Sequence, residues 1–141
     1  MYELKEVVIE TTNQCNLSCI HCGSGCENIA DDNELSVEEW KDVILQLSEM
    51  GVEKIVFSGG EPTLKPGFEE LLLFSSSMGL KVGFISNGLS PFSVLLQDAL
   101  RHSKLFAVGL SIDGLKSTHN RIRRNPNSWS GLMQNISILQ S

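Results

Sequence analysis

No apolar run in this chain approaches the length needed to cross a membrane. The opening residues, Met1 to Glu6, carry none of the architecture of a secretory signal peptide. There is no internal repeat and no low-complexity linker. Positive charge is also scarce: 11 Lys and Arg stand against 17 Asp and Glu, a formal net charge of −6. That balance argues against nucleic acid or an anionic membrane as a main partner. With 141 residues, 41% hydrophobic and 20% charged, the composition is that of one ordinary globular domain with a core of its own. Four cysteines without a signal peptide point to metal binding in a reducing cytoplasm rather than to disulfides.

What the chain does have is a dense cysteine loop, Cys15-Asn16-Leu17-Ser18-Cys19-Ile20-His21-Cys22, after the apolar run Val7-Val8-Ile9. The spacings are C-x3-C and C-x2-C. Such spacing also fits one face of a helix. However, Asn13, Asn16, Ser18, Gly23 and Gly25 are poor residues for a helix interior. Soft thiolates favour zinc or iron–sulfur over magnesium or calcium. Three thiolates can hold a cubane iron–sulfur cluster with one iron left open, and an open position suits a catalytic metal site. The competing reading is a structural zinc site, completed by Cys26 or, less comfortably, by His21 next to Cys22. Inert buried thiols are the third reading.

The rest of the chain alternates strand and helix. Residues 3–10 read as a first strand. Residues 36–50 read as a helix, with Ser36 and Glu39 as a capping box, Val37, Trp40, Val43, Ile44, Leu47 and Met50 on one face, and Gly51 as its stop. Residues 52–57 form a second strand running into Ser58-Gly59-Gly60-Glu61-Pro62, followed by a helix over 67–78. Residues 80–85 form a third strand ending in Ser86-Asn87-Gly88. Ser90 and Pro91 are predicted to open the next helix as cap and first residue, which runs to Arg101 or His102. Residues 104–110 form a fourth strand ending in Ser111-Ile112-Asp113-Gly114. Lys116 to Asn127 reads as a basic, solvated stretch, and Ser128 as the cap of a last helix carrying Trp129, Leu132, Met133, Ile136 and Leu139.

Alternation of this kind predicts an α/β fold with a parallel sheet, and the nearly continuous apolar strands predict cover on both faces. In barrel-like α/β folds the chemistry sits at the C-terminal strand ends. Here all four ends carry polar or Gly-rich sequence, and in a parallel sheet they share one rim. That co-location is the physical argument for one site. Two glycines at a strand end allow close backbone approach to a ligand, Glu61 adds an acceptor, and Pro62 keeps Glu61 extended.

Taken together, these motifs resemble the radical S-adenosylmethionine (radical SAM) superfamily. Cys15, Cys19 and Cys22 match its C-x3-C-x-Φ-C hallmark, with His21 in the Φ place. Gly59-Gly60-Glu61-Pro62 matches its motif at the second strand, and Ser86-Asn87-Gly88 resembles its third. Ser111-Ile112-Asp113-Gly114, with His119 and Arg123, resembles the peptide- and sulfatase-maturing branch. The resemblance implies a partial parallel (βα) barrel, with about four of the six βα units of a radical SAM partial TIM barrel. It implies a 4Fe–4S cluster on Cys15, Cys19 and Cys22, with SAM at the open iron. Gly59, Gly60 and Glu61 would receive the SAM ammonium group, Ser111 and Arg123 the ribose or carboxylate, and His21 the adenine, with Asn87 on the same rim. The implied reaction is reductive cleavage of SAM and hydrogen abstraction from a peptide or small-molecule substrate, with flavodoxin or ferredoxin as electron donor.

The departures from the family pattern are a fifth-strand adenine motif and the C-terminal segments of many relatives, neither of which occurs here. Residues 1–141 are therefore expected to be a radical SAM core domain, incomplete at its C-terminus, in a cytoplasmic protein. Cys26 lies outside the motif and is expected to be an ordinary loop cysteine. The alternative functions are a non-enzymatic zinc-binding module on Cys15, Cys19, Cys22 and Cys26, and a fragment that binds SAM without turnover.

Overall fold

The structure is a computed structural model and describes residues 3–26, 28, 29, 31 and 33–141. Its sheet contains β1 (Glu6–Thr12), β2 (Lys54–Gly59), β3 (Lys81–Ser86) and β4 (Leu105–Leu110), all parallel and in sequence order. Between them run α1 (Val37–Glu49), α2 (Phe68–Ser77) and α3 (Val94–His102); α4 (Lys116–Arg123) and α5 (Ser128–Leu139) follow β4. The α/β class and the parallel sheet are as the alternation predicts.

The capping box at Ser36 and Glu39 is formed. The core lies between the sheet and the first three helices. Ile9, Ile55, Phe57, Val82 and Phe84 alternate toward it from the strands, and Ile44, Phe68, Leu71, Leu72, Leu96 and Leu100 meet them from the helices. Phe57, Phe68, Phe84 and Phe92 form a chain of ring contacts through this core, with centroids 5.7, 5.4 and 5.7 Å apart. Each such pair contributes about 0.5–1.5 kcal/mol beyond its area.

The sheet is covered on one face, not two. On the other face Val8, Ile85 and Phe106 remain 61%, 44% and 42% exposed. The apolar runs in the strands reflect this second, open surface. The Phe106 ring lies beside Gly83, and Lys54 Nζ stands 5.4 Å from its centre.

Three further expectations need correction. Ser90 and Pro91 do not open α3; Ser93 caps it by accepting from Leu96 N–H. Residues before it are tied elsewhere, with Phe92 N–H donating to Asn135 Oδ1 at 2.8 Å. The basic stretch after Lys116 is a helix, α4. Its inward face is His119 and Arg123, spaced i, i+4, so a search for apolar periodicity could not see it. The last helix begins at Ser128, which is buried and is not its cap.

Candidate functional site

The four strand ends converge as their sequence suggests. Cys15, Cys19 and Cys22 line a cavity of about 160 Å³ together with His21, Gly59 and Gly60. Asn87, Ser111 and Arg123 line it from the third and fourth strand ends. Cys26, Ser24, Ser58, Ser86 and Ile85 complete the wall. Ile85 also belongs to the open sheet face, so the cavity and that face adjoin.

The glycines are there first of all for the protein's own backbone. Gly60 N–H donates to Thr12 O at 2.7 Å, and Glu61 N–H to Gln14 O at 2.8 Å. A Cβ on Gly60 would lie 2.2 Å from Gln14 O, and one on Gly59, whose φ is +124°, would lie 2.4 Å from Thr12 O. Any side chain there collides with the backbone leading into the cysteine loop. A second clamp holds the same segment. Glu34 accepts from Thr12 Oγ1 at 2.8 Å and Asn13 N–H at 2.6 Å, and pairs with the buried Lys65 at 3.3 Å.

Glu61 departs from expectation. It is 1% exposed and does not line the cavity. Its carboxylate accepts from Thr63 Oγ1 at 2.7 Å, Ser86 Oγ at 2.9 Å and Asn87 N–H at 2.7 Å. Burial pushes its carboxyl up, against the pull of those donors. The side chain thus ties the second strand end to the third, and its backbone is occupied as well, the N–H by Gln14 O and the C=O by Leu64 N–H at 3.0 Å.

The sulfurs differ in their surroundings. Cys15 is buried, which pushes its thiol up, but Leu17 N–H and Asn87 Nδ2, the latter at 3.7 Å, offer it hydrogen bonds. Arg123 Nη1 stands 3.7 Å from Cys19 Sγ. The Cys26 N–H, with those of Ser24 and Gly25, holds the Cys22 thiol below its ordinary value. Cys26 itself is pushed up to about 11, by burial and then by Cys22 beside it. Cys15, Cys19 and Cys22 are thus provided with N–H donors suited to thiolates, whereas Cys26 has the Ser24 hydroxyl and the Cys22 sulfur beside it. This donor set fits an iron–sulfur cluster.

Asp113 joins the cysteine loop to the fourth strand end. It pairs with His21 Nε2 at 2.9 Å and accepts from Arg123 Nε at 2.5 Å and Nη2 at 3.0 Å. Burial pushes the Asp113 carboxyl up, but those hydrogen bonds outweigh it and hold it below the usual carboxylate range. Ile20 N–H also donates to Ile122 O at 2.9 Å. His119 is fully buried, and burial together with the nearby Arg123 lowers its imidazole. Its Nδ1 accepts from Asp113 N–H at 3.4 Å and its Nε2 lies 3.1 Å from Ser128 Oγ, which fixes the Asp113 loop against α5.

The model of the radical SAM superfamily matches residues 9–141 of this chain. The chain belongs to that superfamily. It is 32% identical over 130 residues to the Fe-coproporphyrin III synthase of Methanosarcina barkeri, covering 92% of this chain and 32% of that protein. It is 35% identical over 131 residues to the sporulation killing factor maturation protein SkfB of Bacillus subtilis, covering 93% and 32%. Among solved structures, Streptococcus suis SuiB bound to S-adenosylmethionine superposes with a TM-score of 0.77 at 23% identity, over 92% of this chain and 30% of that one. The chain spans about a third of the length of these relatives.

In radical SAM terms, the structure brings every expected site residue to one cavity except the Glu61 side chain. Sequence reasoning missed Asn135. This fully buried side chain on α5 donates from Nδ2 to Gly88 O at 3.0 Å and Ser90 O at 2.8 Å, and so holds the Ser86-Asn87-Gly88 loop. The signal was a polar residue on the apolar face of α5, four residues after Gly131. A Cβ on Gly131 would meet Leu89 O at 2.1 Å, so the same loop lies against that face.

Proposed function

We propose that residues 1–141 act as a radical SAM core domain, with a 4Fe–4S cluster held by Cys15, Cys19 and Cys22 and SAM bound beside it. When bound, these groups supply reductive cleavage of SAM to a 5′-deoxyadenosyl radical, which takes a hydrogen atom from substrate. The observation that carries this reading is the single cavity in which three thiols, each with its own N–H donors, face the glycines of the second strand end.

The chain's own residues have distinct tasks in this reading. Gly59 and Gly60 offer backbone to the SAM ammonium group, and Glu61 holds that backbone to Ser86 and Asn87. Ser111 and Arg123 stand at the fourth strand end for the ribose or carboxylate. His21 is the neighbour for adenine, and its ring is tethered by Asp113. Asn87 lines the rim between them. The open sheet face beside Ile85 is the surface along which a substrate reaches the cavity.

The substrate is a peptide or protein side chain. The maturation protein among the relatives supports this, as do the motifs shared with the maturing branch. The Fe-coproporphyrin III synthase supports a small molecule as the second reading. The electron comes from a small donor protein such as flavodoxin or ferredoxin, in the cytoplasm. No described helix is long and apolar enough to cross a membrane.

The test is anaerobic reconstitution followed by EPR of the reduced protein with and without SAM. Iron and sulfide near four per chain, and a spectrum changed by SAM, are expected from a cubane cluster with one open iron. A colourless zinc protein, or a cluster indifferent to SAM, overturns the proposal. Release of 5′-deoxyadenosine that rises with a peptide, but not with a tetrapyrrole, separates the two substrate readings.

A further inference from the structure

Three separate segments meet on one carboxylate. Asp113, just after β4, pairs with His21 of the cysteine loop and takes two N–H groups of Arg123 from α4. The Arg123 side chain is only 10% exposed, although it lies between the exposed Arg121 and Arg124. A planar guanidinium fixed through Nε and Nη2 has its remaining nitrogen aimed. That nitrogen, Nη1, stands 3.7 Å from Cys19 Sγ. The side-chain donor to Cys15 is the neutral amide of Asn87, and the donors to Cys22 are backbone N–H groups and the neutral Cys26 thiol. Among the described residues, Arg123 is the one charged donor on a motif sulfur.

We propose that Arg123, aimed by Asp113, is a positioning residue for Cys19 whose charge-assisted N–H···S bond sets the reduction potential of the cluster. This rests on the reading that Cys15, Cys19 and Cys22 hold that cluster. Its reduction takes one electron from the donor protein, with no bond made or broken and no proton moved. The oxidised donor leaves, and the cluster gains one negative charge spread over its irons and sulfurs. Hydrogen bonds to the sulfurs stabilise the more negative state, and potentials respond to them. A charged donor does so more strongly than a neutral one. Arg123 has five N–H groups, of which Asp113 and Cys19 take three, so two remain for a carboxylate in the cavity. The same residue can therefore serve SAM and the cluster together.

The measurement is a redox titration of the reconstituted full chain, followed by EPR without SAM, so that a change in SAM binding cannot move the result. Arg123→Gln is expected to shift the reduced-to-oxidised ratio at fixed potential about tenfold toward oxidised, or about 59 mV for one electron. Arg123→Lys keeps the charge but not the fork, and is expected to shift the ratio in the same direction. Asp113→Asn keeps the shape at position 113 and leaves Arg123 in place but unaimed. Loss of the N–H···S bond lowers the potential, whereas simple removal of a nearby negative charge raises it; a fall is expected. Native values in both Arg123 variants, or a rise in Asp113→Asn, overturn the proposal. If Arg123→Gln takes up no cluster, Arg123→Lys and Asp113→Asn decide it. Failure of the native protein to assemble any cluster overturns instead the reading on which this rests.

Discussion

At the scale of single residues, what separates the four cysteines is who donates to each sulfur. Cys15, Cys19 and Cys22 have N–H groups beside them, whereas the side-chain partners of Cys26 are Ser24 and Cys22. Cys15→Ala, Cys19→Ala and Cys22→Ala are therefore each expected to lose bound iron and sulfide after anaerobic reconstitution. Cys26→Ala should retain both; equal loss in Cys26→Ala would remove the distinction. The C-x3-C-x2-C spacing already singled out the three, because ligand residues come from one short segment. The role of Asp113 was not readable, since its partners lie 92 residues before it and 10 after it. Its carboxyl is held below the unfolded value, so ionised Asp113 stabilises the fold above that value. This contribution is lost as pH falls through the folded value. Asp113→Asn should cost about 1.5–3 kcal/mol at neutral pH, typical of hydrogen bonds to a charged group. It should also flatten the fall in stability on acidification below about pH 4. Urea denaturation of the cluster-free chain at pH 7 and pH 3 measures both; an equal loss at the two pH values would mean that the charge on Asp113 does not matter.

At the scale of elements, glycines and buried polar side chains set the loops that carry the site. A sequence shows that Gly59 and Gly60 permit a close approach, but not to what. The structure shows that the approach is to Thr12 and Gln14, so a side chain at Gly60 disturbs the cysteine loop itself and not only a ligand. Gly60→Ala should reduce cluster uptake as well as SAM binding; normal iron content with lost SAM binding would return Gly60 to a purely ligand-facing role. The helix α5 acts on the third strand end in the same way. Gly131→Ala would overpack the Leu89 carbonyl, at a cost of about 1–3 kcal/mol. Hydrogen exchange should show residues 86–90 loosened before the core; an unchanged pattern there would separate α5 from the site. The apolar helices were readable because their faces repeat every 3.6 residues. The starting point of α3 and all of α4 were not, because hydrogen bonds of Phe92 to Asn135 and of Arg123 to Asp113 determine them rather than apolar pattern.

At the scale of the whole molecule, the parallel order β1-β2-β3-β4 puts every ligand-bearing loop on one rim and leaves one sheet face bare. Parallel alternation was readable from the sequence. The bare face was not, because an apolar strand residue looks the same whether it meets a helix or an open surface. Among the described residues β4 pairs with β3 alone, so its outer edge presents unpaired N–H and C=O groups. Phe106 and Ala107 are exposed on this strand, and Val8 and Ile85 on the same sheet. An apolar edge of this kind templates pairing with another chain. The 141 residues expressed by themselves should therefore self-associate, as light scattering under anaerobic conditions would show. Ala107→Lys, which places a charge on the exposed edge, should shift the population toward monomer at little cost to the fold, because no core contact is removed. Association that persists in Ala107→Lys but disappears in Ile85→Lys would assign it to the middle of the bare face, around β3, rather than to its margin at β4. A monodisperse native chain would show that neither surface is adhesive, and that the open face is wet enough to stand alone in water.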